Sequence, residues 1–268
     1  MLSGPLFRKT FKSQLKMLVI FAAIMAMYMG VEISMFNPDS MDGIKEMMDM
    51  LPQQMINAMN LDVGAETSLV GFLGSYFYGF IVIMVPMIFN IIASNNAAAK
   101  LVDSGAMACL LSAPNSRTKV IATQAAALIL SNVLLMAFVT VMGIAVSQAL
   151  FPGDLDIHTF LLVNAGALLM QLAVSAIGFF ASCLFNESRL SLALGGGLPV
   201  LFLVLMMLSG VSEDLDVVRY TTLYSLFDPA EIIAGGDTVG LCMAALAAVS
   251  VVLYTLGILI FRRKDLPL

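Results

Sequence analysis

The sequence predicts an all-α membrane protein with six transmembrane helices, both termini cytoplasmic, and one transmembrane domain over residues 1–268. Three observations support this fold class. Sixty per cent of the residues are apolar and 12% are charged, whereas soluble chains carry about 25% charged residues. Six stretches contain the roughly 20 apolar residues that a membrane helix needs. The basic residues gather on one side of these stretches, which predicts their orientation.

The six predicted spans are apolar runs separated by charged or glycine-containing loops. They cover approximately residues 18–36, 69–93, 120–150, 160–185, 190–210 and 239–261. Basic residues precede the first run, as they do in a secretory signal peptide. That run is too long for a signal peptide, however, and no small-residue cleavage site precedes Asn37. We therefore expect a retained membrane helix.

The charged residues predict which side of the membrane each loop faces. With both termini inside, only Lys45 and Arg219 of the 13 basic residues lie outside. Most of the 18 acids lie in the outer loops, and Glu32 lies near the outer end of the first span. By the positive-inside rule, we expect residues 100–119 in the cytoplasm. We also expect a multi-pass protein of the plasma (inner) membrane of a bacterium.

An interfacial helix is predicted ahead of the first span, over about residues 5–16. Its basic residues alternate with Leu6, Phe7, Phe11 and Leu15, which share one helical face. Two interpretations remain open. This helix either anchors the chain to anionic lipid or also contacts a cytosolic partner.

The first outer loop, residues 37–67, is acidic and rich in methionine. The methionines recur at helical spacing, although Pro52 interrupts them. Thioether sulfurs suit Cu(I), but no cysteine or histidine stands beside them. An amphipathic helix with methionine as an adaptable packing residue is the favoured interpretation, and metal binding is the alternative.

Small residues in the second span predict a close contact with another helix. Gly71, Ser75 and Gly79 recur at four-residue spacing, which lets two helices approach closely in lipid. The contact is expected within the chain or between copies. Pro86, further along the same span, predicts a kink.

The fifth span is expected to be bent or unwound near its start. Gly195, Gly196 and Gly197 follow one another there, and Pro199 comes shortly after. Irregular backbone is tolerated inside a membrane only where neighbours or water satisfy its hydrogen bonds. We therefore expect these residues at a pathway or a moving joint.

The last outer loop, residues 211–238, is predicted to enter the outer leaflet as a re-entrant segment between spans five and six. Apolar and polar residues alternate from Val217 to Ile233, and Gly235 and Gly236 follow. The apolar stretches are too short and broken to span a bilayer.

Residues 100–119, KLVDSGAMACLLSAPNSRTK, form a long polar interruption with a short apolar face. Met107, Leu110 and Leu111 are spaced i, i+3 and i+4, so they share one side of a helix. Pro114 is expected to end that helix, and Arg117 lies in its basic exit. We interpret the stretch as a helix at the cytoplasmic surface whose apolar face meets a partner; burial in lipid is the alternative.

The sequence carries no recognisable catalytic or nucleotide-binding motif. His158 is the only histidine, which excludes an HExxH site, and neither a GxSxG elbow nor a P-loop is present. The three cysteines are far apart and form no disulfide or zinc pattern. We expect no enzyme activity, cofactor, metal or nucleic-acid binding in this chain, and we expect another subunit to supply energy.

Residues 103–119 resemble the loop between the second and third spans of ABC-2 type transporter permeases. The matching residues are Asp103, Gly105, Leu110, Leu111, Ser112, Pro114, Ser116 and Arg117. Ala108 departs from the pattern, since many members carry a glutamate there. The stretches LPQQMINAM, FDPAEIIAGG and FRRKDLPL are also similar to the family, so the resemblance covers nearly the whole chain.

This resemblance implies an exporter made of two permease copies, or two related permeases, and two cytosolic ATP-binding cassette subunits that bind ATP and Mg²⁺. The implied coupling residues toward the ATPase are Asp103, Gly105, Met107, Leu110, Leu111, Pro114 and Arg117. Closure of the ATPase dimer would push this helix, tilt the second and fifth spans, and open an outward path gated by the re-entrant segment. The alternatives are a non-transporting sensor or immunity protein and an unaided channel or secondary carrier, which the poverty of charge within the spans disfavours.

Overall fold

The computed structural model describes residues 2–36, 68–112, 116–209 and 220–264. In these ranges the chain is helical and has no strand. Six helices are long and apolar enough to cross a membrane, which confirms the predicted number. We name them spans 1 to 6: Gly4–Met35, Leu69–Ala97, Arg117–Leu150, Ile157–Leu184, Ser188–Ser209 and Val239–Arg263. The methionine-rich loop lies outside the described residues, so its two interpretations stay predictions.

Span 1 is one continuous helix from Gly4 to Met35. The prediction of a separate interfacial helix before it is therefore wrong. The physical reason lies in the residues between the two predicted parts. Pro5 lies in the first turn, where its missing N–H is not needed, and neither glycine nor proline follows until Gly30. Nothing breaks the helix at the membrane surface.

Spans 2 and 4 lie at the centre of the bundle. In each, 67% of the most apolar stretch is buried, against 28% in spans 1 and 6. Span 4 packs along both span 2 and span 6, while span 1 packs along span 3. The outer spans therefore direct most of their apolar surface away from the chain, toward lipid or a partner.

Both termini and the loop between spans 2 and 3 share one end of the bundle, which we name the loop end. At this end the Ser3 N–H donates to Thr123 Oγ1 at 3.0 Å, which joins the N-terminus to the start of span 3. Arg117 Nη1 donates to the Lys264 carbonyl at 2.8 Å, which joins span 3 to the end of span 6. An even number of spans requires this arrangement.

Span 2 changes its helical geometry along its length. Leu69–Leu73 is an α-helix, Gly74–Ile81 is a π-helix, and Val82–Ala97 is α-helical again with Pro86 inside it. A π-helix has a wider turn than an α-helix, so the four-residue spacing of small residues no longer places them in one straight line. Gly71, Ser75 and Gly79 are all buried inside the chain. Their packing is therefore internal, and they offer no surface to a second copy.

Span 5 is interrupted at Gly196. An eight-residue helix ends at Gly195 and a second helix runs from Gly197 to Ser209. Pro199 lacks the N–H that would reach the Gly195 carbonyl, which helps to explain why the helix is irregular here. The break lies about a third of the way along span 5, because the span begins at Ser188.

The segment Tyr220–Thr238, which we name the re-entrant segment, returns into the bundle from the end opposite to the loop end. It contains a 3₁₀ turn at Leu223–Leu226 and a helix at Pro229–Ala234. The Tyr224 hydroxyl donates to Met87 Sδ at 3.2 Å. At 1.5 Å per residue, Met87 lies about 15 Å from the Ala97 end of span 2, which is half the thickness of a bilayer core. The segment therefore reaches the middle of the bundle.

Candidate coupling site

The loop at the loop end consists of two short helices joined by a tight turn. They cover Ala99–Asp103 and Ala106–Ser112. Between them Gly105 has a φ of 73°, in the left-handed region that favours glycine. Its N–H donates to the Val102 carbonyl at 2.9 Å. Gly105 is thus required by the turn that sets the direction of the second helix, whatever that helix contacts.

The apolar face of the helix Ala106–Ser112 packs mainly on the chain itself. Met107 is only 1% exposed and belongs to a core cluster that includes Val102 and Val120. Met107 thus holds the helix against the spans from within the chain, and its role in coupling to the ATPase stays a prediction. Leu110 and Leu111 are half-buried at the edge of the same cluster, and each keeps part of its surface available.

Arg117 is used within the chain. Its side chain binds the Lys264 carbonyl, and Lys264 Nζ in turn donates to the Cys183 carbonyl at 3.1 Å. Burial lowers the pKa of Lys264 to about 8, although the nearby Cys183 opposes this shift. Arg117 thus ties the start of span 3 to the ends of spans 6 and 4. Pro114 lies outside the described residues, so its place in the coupling contact stays a prediction.

Asp103 connects the loop to the start of span 5. Its Oδ2 accepts a hydrogen bond from the Ser188 N–H at 3.4 Å. Glu187, at the N-cap position of that helix, makes no capping bond with its own side chain. Asp103, from a distant part of the chain, therefore accepts a hydrogen bond from an N–H of the first turn that has no partner within the helix. The helix dipole also favours a negative charge at this end of the helix.

Three further hydrogen bonds beside Asp103 connect span 2 and the first loop helix to spans 4 and 5. Asn95 Nδ2 of span 2 donates to Ser188 Oγ at 2.6 Å. Ser182 Oγ of span 4 accepts from the N–H groups of Ala98 and Ala99, at 3.2 and 2.8 Å. Ser182 thus caps the first loop helix, whose own N-cap residue, Ala98, cannot do so. None of these three polar residues belongs to a motif that is recognisable in the sequence alone.

Glycines bring the same three spans into very close contact. A Cβ added at Gly195 would lie 3.0 Å from the Gly178 Cα, and one added at Gly178 would lie 2.9 Å from Ser94 Cβ. Gly195 was predicted at a joint, and it lies at the contact between spans 4 and 5. Gly197 has no atom within 4 Å of an added Cβ, so this contact does not involve it.

The loop, the hydrogen bonds and the glycine contact together form a junction at one end of a six-span bundle. The family model of the ABC-2 family transporter protein matches residues 7–266. The chain belongs to the ABC-2 transporter family. It is therefore a multi-pass membrane protein and a component of a transporter. Among curated proteins, none matches the chain.

A second polar network of this ABC-2 transporter lies deeper, where spans 2, 3 and 4 meet. Pro86 has no N–H, so the Val82 carbonyl loses its partner within the helix. Gln171 Nε2 of span 4 donates to that carbonyl at 2.7 Å. Asn90 Nδ2 donates to Gln171 Oε1 at 3.0 Å, and Asn132 Nδ2 of span 3 donates to Asn90 Oδ1 at 2.8 Å. The irregular part of span 2 is thus held by side chains of its neighbours.

The sequence did contain a signal for both networks. Amides and hydroxyls in apolar spans are conspicuous because they need partners away from water. Ionisable residues within spans mark ion and proton pathways, but they are not the only polar residues that matter there. In this ABC-2 transporter, uncharged polar residues such as Asn90, Asn95, Gln171 and Ser182 connect the spans instead.

Proposed function

We propose that the chain is the permease subunit of an ATP-binding cassette exporter in the bacterial inner membrane. Two copies, or this chain and a related permease, assemble with two cytosolic ATPase subunits that bind ATP and Mg²⁺. Within residues 100–119, the helix Ala106–Ser112 makes the coupling contact with the ATPase. The observation that carries this proposal is the junction between the loop and span 5, because it connects a surface helix directly to a membrane helix.

The junction provides a route for movement from the loop into the membrane. Asp103 and Asn95 hold Ser188, the first residue of span 5. The helix Ser188–Gly195 then ends at Gly196, where the span is interrupted. A push on the loop helices moves this first part of span 5, and the interruption lets it turn relative to the helix Gly197–Ser209. The distribution of charges along the sequence agrees, since the basic residues predict that the loop end faces the cytoplasm.

The partly exposed leucines are the side chains best placed to bind the ATPase. Buried apolar anchors usually carry most of the affinity at an interface, and Leu110 and Leu111 keep part of their surface available next to the exposed Cys109. A charge at Leu110 is therefore expected to weaken the complex, because the charge would have to be desolvated when the partner binds.

The test is the variant Leu110→Asp, with Ser104→Asp as its control. Ser104 is exposed in the turn before the helix Ala106–Ser112, so its variant adds the same charge to the same loop outside that helix. Each tagged variant is extracted from native membranes in mild detergent, and copurified ATPase is quantified. We expect Leu110→Asp to copurify with at least tenfold less ATPase than the unmodified chain, although it stays monodisperse on size exclusion. Ser104→Asp is expected to copurify with as much ATPase as the unmodified chain.

Two results would contradict the proposal. One is an unmodified chain that copurifies with no ATP-binding cassette subunit in a detergent known to preserve such complexes. That result would favour a sensor, an immunity protein or an unaided carrier. The other is a folded Leu110→Asp variant that binds and stimulates the ATPase normally, which would remove the coupling role from this helix.

A further inference from the structure

An apolar cavity of about 520 Å³ lies between spans 4, 5 and 6 and the tip of the re-entrant segment. Ile177 and Phe180 of span 4 form one wall, and Leu198 and Phe202 of span 5 form another. Leu253 is part of the wall from span 6. Among the residues that the structure describes, the lining has two polar side chains, both threonines of the re-entrant segment, and no charged one.

The cavity lies at the depth of the hydrocarbon core. At 1.5 Å per residue, Phe180 is about 6 Å from the Leu184 end of span 4, and Phe202 is about 21 Å from the Ser188 end of span 5. A hydrocarbon core is about 30 Å thick. The cavity thus extends from near the loop end to beyond the middle of the bundle. Leu194, which also lines it, is 38% exposed and lies at an opening to the outside.

The lining selects the chemistry of the occupant. A charged or strongly polar ligand would lose its hydration here and find almost no hydrogen-bonding partner, which is unfavourable. Apolar cavities exclude water and take apolar ligands, and a volume of 520 Å³ falls within the usual range of ligand sites, about 300–1,000 Å³. We propose that this cavity binds one hydrocarbon chain, supplied by a membrane lipid or by a lipid-like substrate.

This inference names a substrate class for the proposed exporter, and its place in transport rests on that proposed function. Leu194 and Leu198 lie on either side of the interruption at Gly196. The cavity wall therefore includes the part of span 5 that the loop holds through Ser188. A movement of the loop changes the shape of the cavity. The bound hydrocarbon chain is therefore held tightly in one state and released in another.

The absence of tryptophan from the natural chain gives a direct test. Phe202→Trp places the only tryptophan in the cavity wall with a conservative aromatic change. Val251→Trp is the matched control, because Val251 is on span 6 and 66% exposed. Both purified variants are titrated with stearic acid dibrominated at mid-chain, whose bromines quench tryptophan on contact. A second titration uses phosphatidylcholine with brominated acyl chains.

We expect the quenching of Phe202→Trp to saturate near one probe molecule per protein. The quenching of Val251→Trp is expected to rise with probe concentration without saturating. Adding Leu253→Phe to Phe202→Trp narrows the cavity at its span 6 wall and is expected to raise the half-saturating probe concentration. Saturation by the fatty acid alone assigns the site to a free single chain. Saturation by the phospholipid as well assigns it to a lipid acyl chain.

Several results would overturn the inference. Equal, non-saturable quenching of the two tryptophans means that only surface lipid is detected. No quenching of Phe202→Trp means that the cavity is closed or filled by another part of the assembly. If Phe202→Trp does not fold, native mass spectrometry of the unmodified chain with stearate must show one bound molecule, and its occupancy must fall in Leu253→Phe. We expect the addition of Leu110→Asp to leave the quenching unchanged. Loss of the ATPase contact and loss of hydrocarbon binding can therefore be distinguished.

Discussion

The two ends of the bundle achieve their packing in different ways. At the loop end, Asn95, Ser182 and Ser188 join three spans by hydrogen bonds of 2.6 to 3.2 Å, and glycines place the helix backbones in contact. At the opposite end, the re-entrant segment inserts the buried side chains of Phe227 and Ile232 among the spans. Apolar contacts of this kind have no preferred direction, whereas hydrogen bonds do.

This difference indicates which end of the bundle is rigid and which end can move. A hydrogen-bonded junction with touching backbones moves as a unit, so a push on the loop reaches span 5. Side chains such as Ile232 can change rotamer while staying buried, so the helix Pro229–Ala234 can shift while it keeps its apolar contacts with the spans. The loop end is thus suited to transmit movement and the opposite end to open and close.

The largest expected effect comes from a pair of glycine substitutions, one at each end. A Cβ at Gly178 would overlap Ser94, both at its Oγ and at its Cβ, close to the helix backbone. A Cβ at Gly166 would meet only the side-chain ends of Ile232, Phe227 and Met243, at 3.0 to 3.2 Å. We expect Gly178→Ala to cost about 1–3 kcal/mol, as overpacking usually does, and Gly166→Ala to cost clearly less.

The measurement is the midpoint temperature at which each variant leaves the monodisperse peak on size exclusion after heating in detergent. Gly197→Ala serves as a control at a position without neighbours. If Gly178→Ala and Gly166→Ala lower the midpoint temperature equally, the two ends of the bundle are equally rigid. That result would contradict the proposed difference between them.

An intermediate effect is expected at the network that holds the irregular part of span 2. Gln171→Leu leaves the Val82 carbonyl without a donor and removes a partner of Asn90, and an unsatisfied buried group costs about 1–3 kcal/mol. Pro86→Ala restores an N–H that can reach the same carbonyl. We therefore expect Gln171→Leu to cost less in the Pro86→Ala background than alone.

A double-mutant cycle on thermal stability measures this coupling. Additive losses would mean that Gln171 does not replace the hydrogen bond missing at Pro86. The cycle also sharpens the comparison between the ends, because this network lies between them and determines how far a movement of span 5 and span 4 is passed on to span 2.

The sequence predicted the parts of the fold that depend on composition along the chain. The six apolar runs and the interruption at Gly196 follow from local residues. The direction of Met107 could not be predicted, since an apolar helix face looks the same whether it packs on its own spans or on a partner. Hydrogen-bond partners such as Ser188 and Asn95 are determined by how distant helices pack together. This packing cannot be read from either stretch of sequence alone.

The smallest expected effect is the loss of one bond at the junction, and it tests transmission most directly. Asn95→Ala removes the 2.6 Å hydrogen bond to Ser188, and Thr140→Ala, which loses only a bond within span 3, is the control. We expect the helix Ser188–Gly195 to be destabilised locally by about 1 kcal/mol. Its amide hydrogens then exchange about fivefold faster by mass spectrometry, while those of Gly197–Ser209 are unchanged because the interruption at Gly196 separates the two parts. If exchange rises equally on both sides of Gly196, span 5 is a single rigid rod, and movement of the loop must reach the cavity by tilting the whole span.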